Sequence, residues 1–185
     1  MDDWIAVKAI AEFKQRFPLD VDRVESLGAE SLAKSIAGKT SADHITASAL
    51  VIDPKSRTLL LKWHQSLRTW LQPGGHVEHY DASLVCAAER ELLEETGLKP
   101  SFIVSPATFD CPFDIDVHYI EIEHGHNAHF HIDFRFIFFA DRGDADLYSP
   151  EGTEIRWIHP DDVIDPPLAN DLRRTIQKLR FYGLL

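Results

Sequence analysis

Residues 74–100 read GGHVEHYDASLVCAAERELLEETGLKP. Five glutamates lie between Glu78 and Glu95, and four of them fall within seven residues. The pattern predicts a helix over about Asp81–Thr96, with Asp81 as its N-cap and Gly97 just past its end. A helix advances roughly 100° per residue, so Glu91, Glu94 and Glu95 converge within an arc of about 100° on one face. Like charges at these spacings cost only about 0.2–0.5 kcal/mol per pair, and Arg90 offsets part of that by pairing with Glu94. Strain alone therefore does not separate a site from a solvated charged face. The context does more: Pro73-Gly74-Gly75 lets backbone approach a ligand closely, and a glycine carbonyl beside clustered carboxylates supplies the oxygens a hard divalent cation takes.

Around this stretch the chain is rich enough in apolar residues to fold, with 44% hydrophobic and 10% aromatic among 185 residues. That length suits one domain, or one domain with an appendage. Nineteen Lys and Arg against thirty Asp and Glu leave a net charge of -11, which disfavours nucleic acid and anionic membranes as partners. Cys86 and Cys111 are too few for a disulfide framework and read as buried thiols. The start, MDDWIAVKAI, is acidic and lacks the apolar run of a signal peptide, and no segment approaches bilayer-spanning length. A cytoplasmic protein is the expectation.

Upstream, Ile10, Phe13 and Phe17 recur at helical spacing until Pro18, and Val24, Leu27, Leu32 and Ile36 form a second run closed by Gly38. Residues 1–41 are thus expected to be a helical extension of two helices, ahead of a domain over 42–185. HITASALVID and RTLLLKWH read as adjacent strands joined by a turn at Asp53-Pro54-Lys55-Ser56, and RTWLQPGGH as a loop. SFIVSPATF, VHYIEIE and AHFHIDFRFIFFA read as three further strands. In the last, Phe130, Ile132, Phe134, Phe136 and Phe138 alternate with His129, His131, Asp133 and Arg135, so one face enters a core and the other carries polar groups. EIRWIHPDDV adds a short strand and turn, and PPLANDLRRTIQKLRFYGLL an amphipathic helix.

The stretch from Gly75 to Leu98 resembles the Nudix box of the Nudix hydrolases, MutT-like proteins. That box runs glycine, five residues, glutamate, seven residues, then Arg-Glu-apolar-any-Glu-Glu-any-Gly-apolar. Arg90 through Leu98 match the second half throughout. In the first half, Asp81 stands for the glutamate, and eight residues instead of seven separate it from Arg90, so strict spacing would fall on Ala82. A one-residue adjustment at the helix start, with Asp81 in a supporting role, is the expectation. HITASALVID, WLQPGGHVE and HFHIDFRFIFFA extend the resemblance to a bacterial subgroup with a helical N-terminal extension.

The resemblance implies an α/β/α Nudix sandwich with a mixed sheet, and Mg²⁺- or Mn²⁺-dependent hydrolysis of a diphosphate bond in a nucleoside diphosphate-linked metabolite. It implies that Glu91, Glu94 and Glu95, with the Gly75 carbonyl, hold the metal, and that Arg90 orients a box carboxylate. The general base is Glu91, another metal-bound carboxylate, or a later loop glutamate, Glu151 or Glu154. His129, His131 and Asp133 line the pocket, bind phosphate or metal, or form a plain polar face. Trp70 stacks on a base or anchors the sheet. His76 and His79 sit beside the glycine turn, reachable by ligand or simply exposed, and Arg57, Lys62, Arg68 and Arg135 are possible phosphate contacts. The extension covers the pocket or mediates a homodimer. Two alternatives stand beside hydrolysis: a nucleotide-sensing module without turnover, and isomerase-type chemistry on a diphosphate.

Overall fold

The computed structural model describes residues 4–39, 42–99, 102–103, 111–121, 128–142, 149, 152–162 and 168–185. Their centre is β1 (His44–Asp53), whose residues from Thr46 onward are all buried, as a strand covered on both faces must be. It pairs in parallel with β7 (His129–Phe139), from His44 opposite His131 to Ile52 opposite Phe139. Beyond β7 lie β6 (Asp114–Ile120) and the short β5 (Phe102–Ile103), both antiparallel to it.

On its other side β1 has two partners. Its end pairs with β2 (Thr58–His64), and its start with β4 (Gly74–His76). From there β2 diverges to pair with β3 (Thr69–Leu71) and β8 (Ile155–Ile158). This is the mixed sheet the resemblance implies, but the RTWLQPGGH stretch is not a plain loop. It contributes β3 and β4, and β4 is stitched to β1 by Ala49 N–H donating to the Pro73 carbonyl (2.8 Å) and Val77 N–H to Ile45 (3.1 Å). Glycine hides this strand from a propensity reading, because pairing here is selected by the absence of a side chain. A Cβ on Gly74 would lie 2.8 Å from the Ala47 carbonyl oxygen and 2.8 Å from Ser48 Cα.

Alternation along the strands gives the sheet two faces. Ala47 lies opposite both Gly75 and Phe134, and the Gly75 side is met by the box helix, α4 (Leu84–Thr96). The other face carries Thr46, Ser48, Asp133 and Arg135, and is covered by α5 (Asn170–Phe181). The layers are helix, sheet, helix. Four box-helix residues that face the core, Leu84, Ala87, Ala88 and Leu92, are buried, and three of the four, all but Ala87, recur at spacings of four.

The extension forms three helices, not two: α1 (Ile5–Arg16), α2 (Val21–Ser26) and α3 (Ala29–Ala37). Pro18 ends the first pattern by opening a 3-10 turn, and Gly28, at φ 66°, breaks the second run in a left-handed turn that its Cβ-less backbone permits. Gly38 does follow α3, but in right-handed conformation; Lys39, at φ 57°, takes the left-handed position. Cys111 is half-buried, whereas Cys86 is exposed, since it lies on the outer side of α4 away from Ala87 and Ala88.

The extension is tied to the sheet and α5 by buried charge. Lys178 of α5 places its ammonium 3.8 Å from the ring centre of Phe17 and 4.5 Å from that of Phe13, with Asp20 as counter-ion at 2.5 Å. Arg23 of α2 donates to Asp114 (2.8 Å) and to the Ile115 carbonyl (2.8 Å). Asp114, fully buried, also accepts two bonds from Arg174 (2.9 and 2.7 Å) and one from Thr175 (2.6 Å). Arg135, 1% exposed, donates to Asp133 (2.9 Å), to Thr175 (2.9 Å) and to Asp171.

Burial pushes the Asp114 carboxyl up, but the surrounding Arg174, Arg135 and Arg23 outweigh it and hold Asp114 below the ordinary carboxylate range. Asp114→Asn leaves three guanidiniums undercompensated and is expected to cost about 3–5 kcal/mol at neutral pH, read from urea unfolding. A folded-state pKa below the unfolded one means that this stabilisation is present above the unfolded pKa and is lost as pH falls through the lowered folded value. The difference between wild type and variant should therefore narrow in acid; a difference that widens there contradicts the assignment.

Candidate active site

The box helix starts with Ser83, whose Oγ accepts from Cys86 N–H (3.2 Å), and ends at Gly97, left-handed at φ 70°. Asp81 is not the cap. It lies in the irregular turn ahead of the helix. Asp81 accepts from Glu78 N–H (2.8 Å) and from Arg90 twice, Nε at 3.0 Å and Nη2 at 2.9 Å. A cap reading was attractive because aspartate often caps; the bidentate arginine pair claims it instead. The same Arg90 hydrogen bonds hold Asp81 below its ordinary pKa.

Arg90 is the hub of the site. Its remaining donors reach Glu91 Oε1 (2.7 Å), Glu94 Oε2 (3.1 Å) and the His76 carbonyl (2.9 Å). One guanidinium thus ties the pre-helix turn, two box carboxylates and the end of β4 at His76. The expected Arg90–Glu94 pairing is seen in these contacts.

Glu91 faces the glycine strand. A Cβ on Gly75 would sit 2.6 Å from Glu91 Oε2, so only glycine lets this backbone and this carboxylate meet. Glu95 lies one turn along the same face, accepting from Gly74 N–H (2.9 Å) and paired with Lys62 of β2. Burial pushes Glu95 above its ordinary pKa, opposed by Lys62. Glu94 is the open member, with a side chain 56% exposed against 13% for Glu91. Three carboxylates and a glycine backbone are therefore brought together, each with a different degree of contact with water.

The donor set fits a hard divalent ion: carboxylate oxygens beside a backbone that has been cleared of side chain. Among the described residues, no group of three or more His, Cys, Asp or Glu side chains is arranged to hold a metal ion, and Arg90 and Lys62 supply the positive charge on these carboxylates.

The other sequence candidates separate. Asp133 is 3% exposed and accepts from Thr46, Ser48, Gln72 and Arg135, so it belongs to the buried network beneath the sheet and not to a pocket. Arg135 is likewise no phosphate contact. Trp70 is 3% exposed, its ring 5.6 Å from Trp63 and 5.1 Å from the Arg156 guanidinium, which makes it a sheet anchor. Glu154 is exposed and paired with Arg156, and its carbonyl accepts from Trp63 N–H (2.8 Å). Glu151 lies outside the described residues, as do most of SFIVSPATF and the histidines at 124 and 126. Arg57 and Arg68 are exposed turn residues with positive φ. His79 is exposed against Tyr80.

His129 and His131 are joined by residues that sequence reasoning did not group with them. His44, His76 and His118 come from β1, β4 and β6, and strand pairing sets His44 and His118 opposite His131. The signal was present only as isolated histidines at strand ends. Burial and the neighbouring imidazoles push His131 down to about 3, so it is neutral at physiological pH.

A family model described as NUDIX domain matches residues 42–179. A comparison with curated proteins finds no match. Among solved structures, the fold is similar to a NUDIX-family hydrolase of Clostridium perfringens, with TM-score 0.53 and 21% identity over 75% of this chain and 97% of that one. It is also similar to an Ap4A hydrolase of C. elegans, with TM-score 0.52 and 16% identity over 75% of this chain and 96% of that one. A third, the dihydroneopterin triphosphate pyrophosphohydrolase of E. coli, has TM-score 0.50 and 14% identity over 72% of this chain and 92% of that one. At such identities the likeness concerns the fold.

The glycines make separable predictions. Gly74→Ala drives a Cβ into backbone and is expected to destabilise by about 1–3 kcal/mol. Gly75→Ala meets only the movable end of Glu91, so thermal unfolding should show a smaller loss than for Gly74→Ala. Equal losses would mean that the Gly75 backbone, too, has no room to give.

Proposed function

The chain belongs to the Nudix hydrolase family, and from that premise we propose that it hydrolyses a diphosphate bond in a small nucleotide-like metabolite, using Mg²⁺ or Mn²⁺. The observation that carries this reading is the meeting of Glu91 with the side-chain-free Gly75 backbone, with Glu95 and Glu94 on the same helical face.

Glu91, Glu94, Glu95 and the Gly75 carbonyl would hold the ion, which when bound neutralises phosphate charge and lowers the pKa of an attacking water. The chain's own residues prepare that volume. Arg90 fixes the Glu91 carboxylate from one side while Asp81 fixes Arg90 from the other, so the carboxylate needs little reorganisation. Lys62 holds Glu95 in its buried position and places a positive charge at the site. Glu91, less exposed than Glu94 and held by Arg90 instead of Lys62, is the proposed acceptor of the water's proton. Glu154, turned to Arg156, is set aside as the base.

The substrate class draws on the neighbours' names. An Ap4A hydrolase and a dihydroneopterin triphosphate pyrophosphohydrolase share the fold, and both names describe phosphoric anhydrides on a heterocyclic metabolite. The acidic chain, at net charge -11, favours such a small ligand over a long nucleic acid. No helix among the described residues is long and apolar enough to cross a membrane.

A second reading, binding without turnover, is favoured by one observation: Lys62 already satisfies Glu95 as a fixed cation would. The two separate in a coupled phosphate-release assay across nucleoside diphosphate derivatives, with and without Mg²⁺ or Mn²⁺. Hydrolysis predicts metal-dependent release that falls at least about 100-fold in Glu95→Gln and in Glu91→Gln, since even residues that only support metal ligands are worth about 10–100-fold. Full turnover in both variants refutes the assignment. Nucleotide binding without release in the wild type supports the sensing module.

A further inference from the structure

At the end of the sheet beside the box, four strands bring five imidazoles together. His131 of β7 is their centre. It is half-buried, with the ring centres of His129 at 4.8 Å, His76 at 5.0 Å, His118 at 5.5 Å and His44 at 5.8 Å. Apart from the tilted His129–His131 pair, these rings meet His131 edge to face, the packing of neutral aromatic rings. His129 and His131 place their Nε2 atoms 2.9 Å apart. A single proton fits between two such nitrogens, so one ring donates and the other, to accept, is neutral.

The charged groups of the surrounding strands and helices are engaged with other partners. Asp133 accepts from Arg135, Ser48, Thr46 and Gln72. Asp116 meets His118 Nδ1 at 3.3 Å and lies 3.7 Å from Arg135 and 3.8 Å from Arg174. Asp43 accepts from Phe130 N–H (2.6 Å). On α3, which packs against β1 and β7, Glu30 is paired with Lys34 and Lys14, and Lys39 follows the helix end. On α5, Asp171 holds Arg135. Glu78 and Glu121 follow the ends of β4 and β6. Asp116, chiefly by its hydrogen bond, therefore raises His118 above its ordinary pKa. His131 has no carboxylate of its own, and burial, then the imidazoles of His76, His118, His129 and His44, push it down to about 3.

We propose that this cluster is an acid-sensitive lock on the end of the sheet, closed while His131 stays neutral and opened in mild acid because only the open end lets His131 take a proton. The lock needs no metal and does not rest on the hydrolase reading. A pKa lowered in the folded chain means that the stability contributed by His131 is complete above its ordinary value of 6.5 and is lost as pH falls from there toward about 3. His118 has the opposite sign: its share is complete below 6.5 and fades as pH rises through its raised folded value. The displacement of His131 is the larger, so acid loosens this end. The glycine strand is affected from one side. Just past His76, Val77 N–H donates to the Ile45 carbonyl (3.1 Å), beside the cluster, whereas Ala49 N–H bonds to the Pro73 carbonyl (2.8 Å) at the other end of β4. The loosened end is the one where the His76 carbonyl accepts from Arg90 (2.9 Å).

The test uses the full-length, untagged chain without metal or substrate. A histidine displaced from 6.5 to about 3 lowers the folding equilibrium constant about 30-fold between about pH 7.5 and about pH 5. In urea unfolding, His131→Gln, which keeps a polar side chain that takes no proton, should therefore show an acid loss at least about tenfold smaller than wild type. Two measurements on the wild type stand even where the variant folds poorly. Histidine NMR titration should find His131 still neutral at about pH 5. Amide hydrogen exchange, corrected for its intrinsic pH dependence, should show Val77 losing protection relative to Ala49 over the same interval. Equal acid losses in wild type and His131→Gln, a His131 that titrates near 6.5 in the folded chain, or Val77 and Ala49 changing in step would each overturn the proposal.

Discussion

Arg135 has no water to turn to. Its guanidinium is enclosed between the sheet and α5, with Asp133 and Asp114 on the sheet, Asp171 and Thr175 on the helix, and Asp116 at 3.7 Å. A charge so placed is tolerable only when its donors are met by charged acceptors, and those acceptors must come from both layers. This fixes where α5 sits and which face of β7 turns inward. Arg23 then draws the extension to the same Asp114, so one acidic residue is shared by three arginines from three parts of the chain. With that face occupied, the apolar face of β1 and β7 is left for the box helix. The position of the candidate site follows from how the opposite side of the sheet is filled.

The site repeats the device on a smaller scale. Arg90 gathers Asp81, Glu91, Glu94 and a backbone carbonyl, but near the surface, where water moderates every charge. The buried arginine holds layers together, and the outer one holds oxygens apart at defined places. Glu95 is intermediate: desolvated enough to be pushed up, yet balanced by Lys62 and a glycine N–H. A cluster of like charges on one helix becomes acceptable because each carboxylate is offset by a different partner.

Much of this could be read from sequence. The box helix, its glycine stop, β1, β2 and the two-faced β7 all follow from period and from Gly and Pro placement, which are local properties. The misreadings were non-local. Gly74 and Gly75 lack strand propensity, and their pairing depends on what β1 presents across the gap. Gly28 split a run whose apolar spacing looked continuous. Alternation in β7 showed two faces but not what covers the second, so Asp133 and Arg135 looked like pocket residues when they are buried beneath α5. The histidine group is further from sequence still, because its members are united only by strand order; the neighbouring bond from Ser48 to Asp133 spans 85 positions.

Among the described residues the one parallel pairing in the sheet, between β1 and β7, also orders events in time. A parallel pair cannot be closed by a hairpin, so the central strands must wait while the intervening chain, including the box helix, is made and placed. Asp114 emerges during synthesis before Arg135, and both before Arg174 and Thr175. Until α5 arrives, Asp114 and Arg135 lack the partners that Arg174, Asp171 and Thr175 supply. The last helix of the chain is thus the step that completes the charge network beneath the sheet.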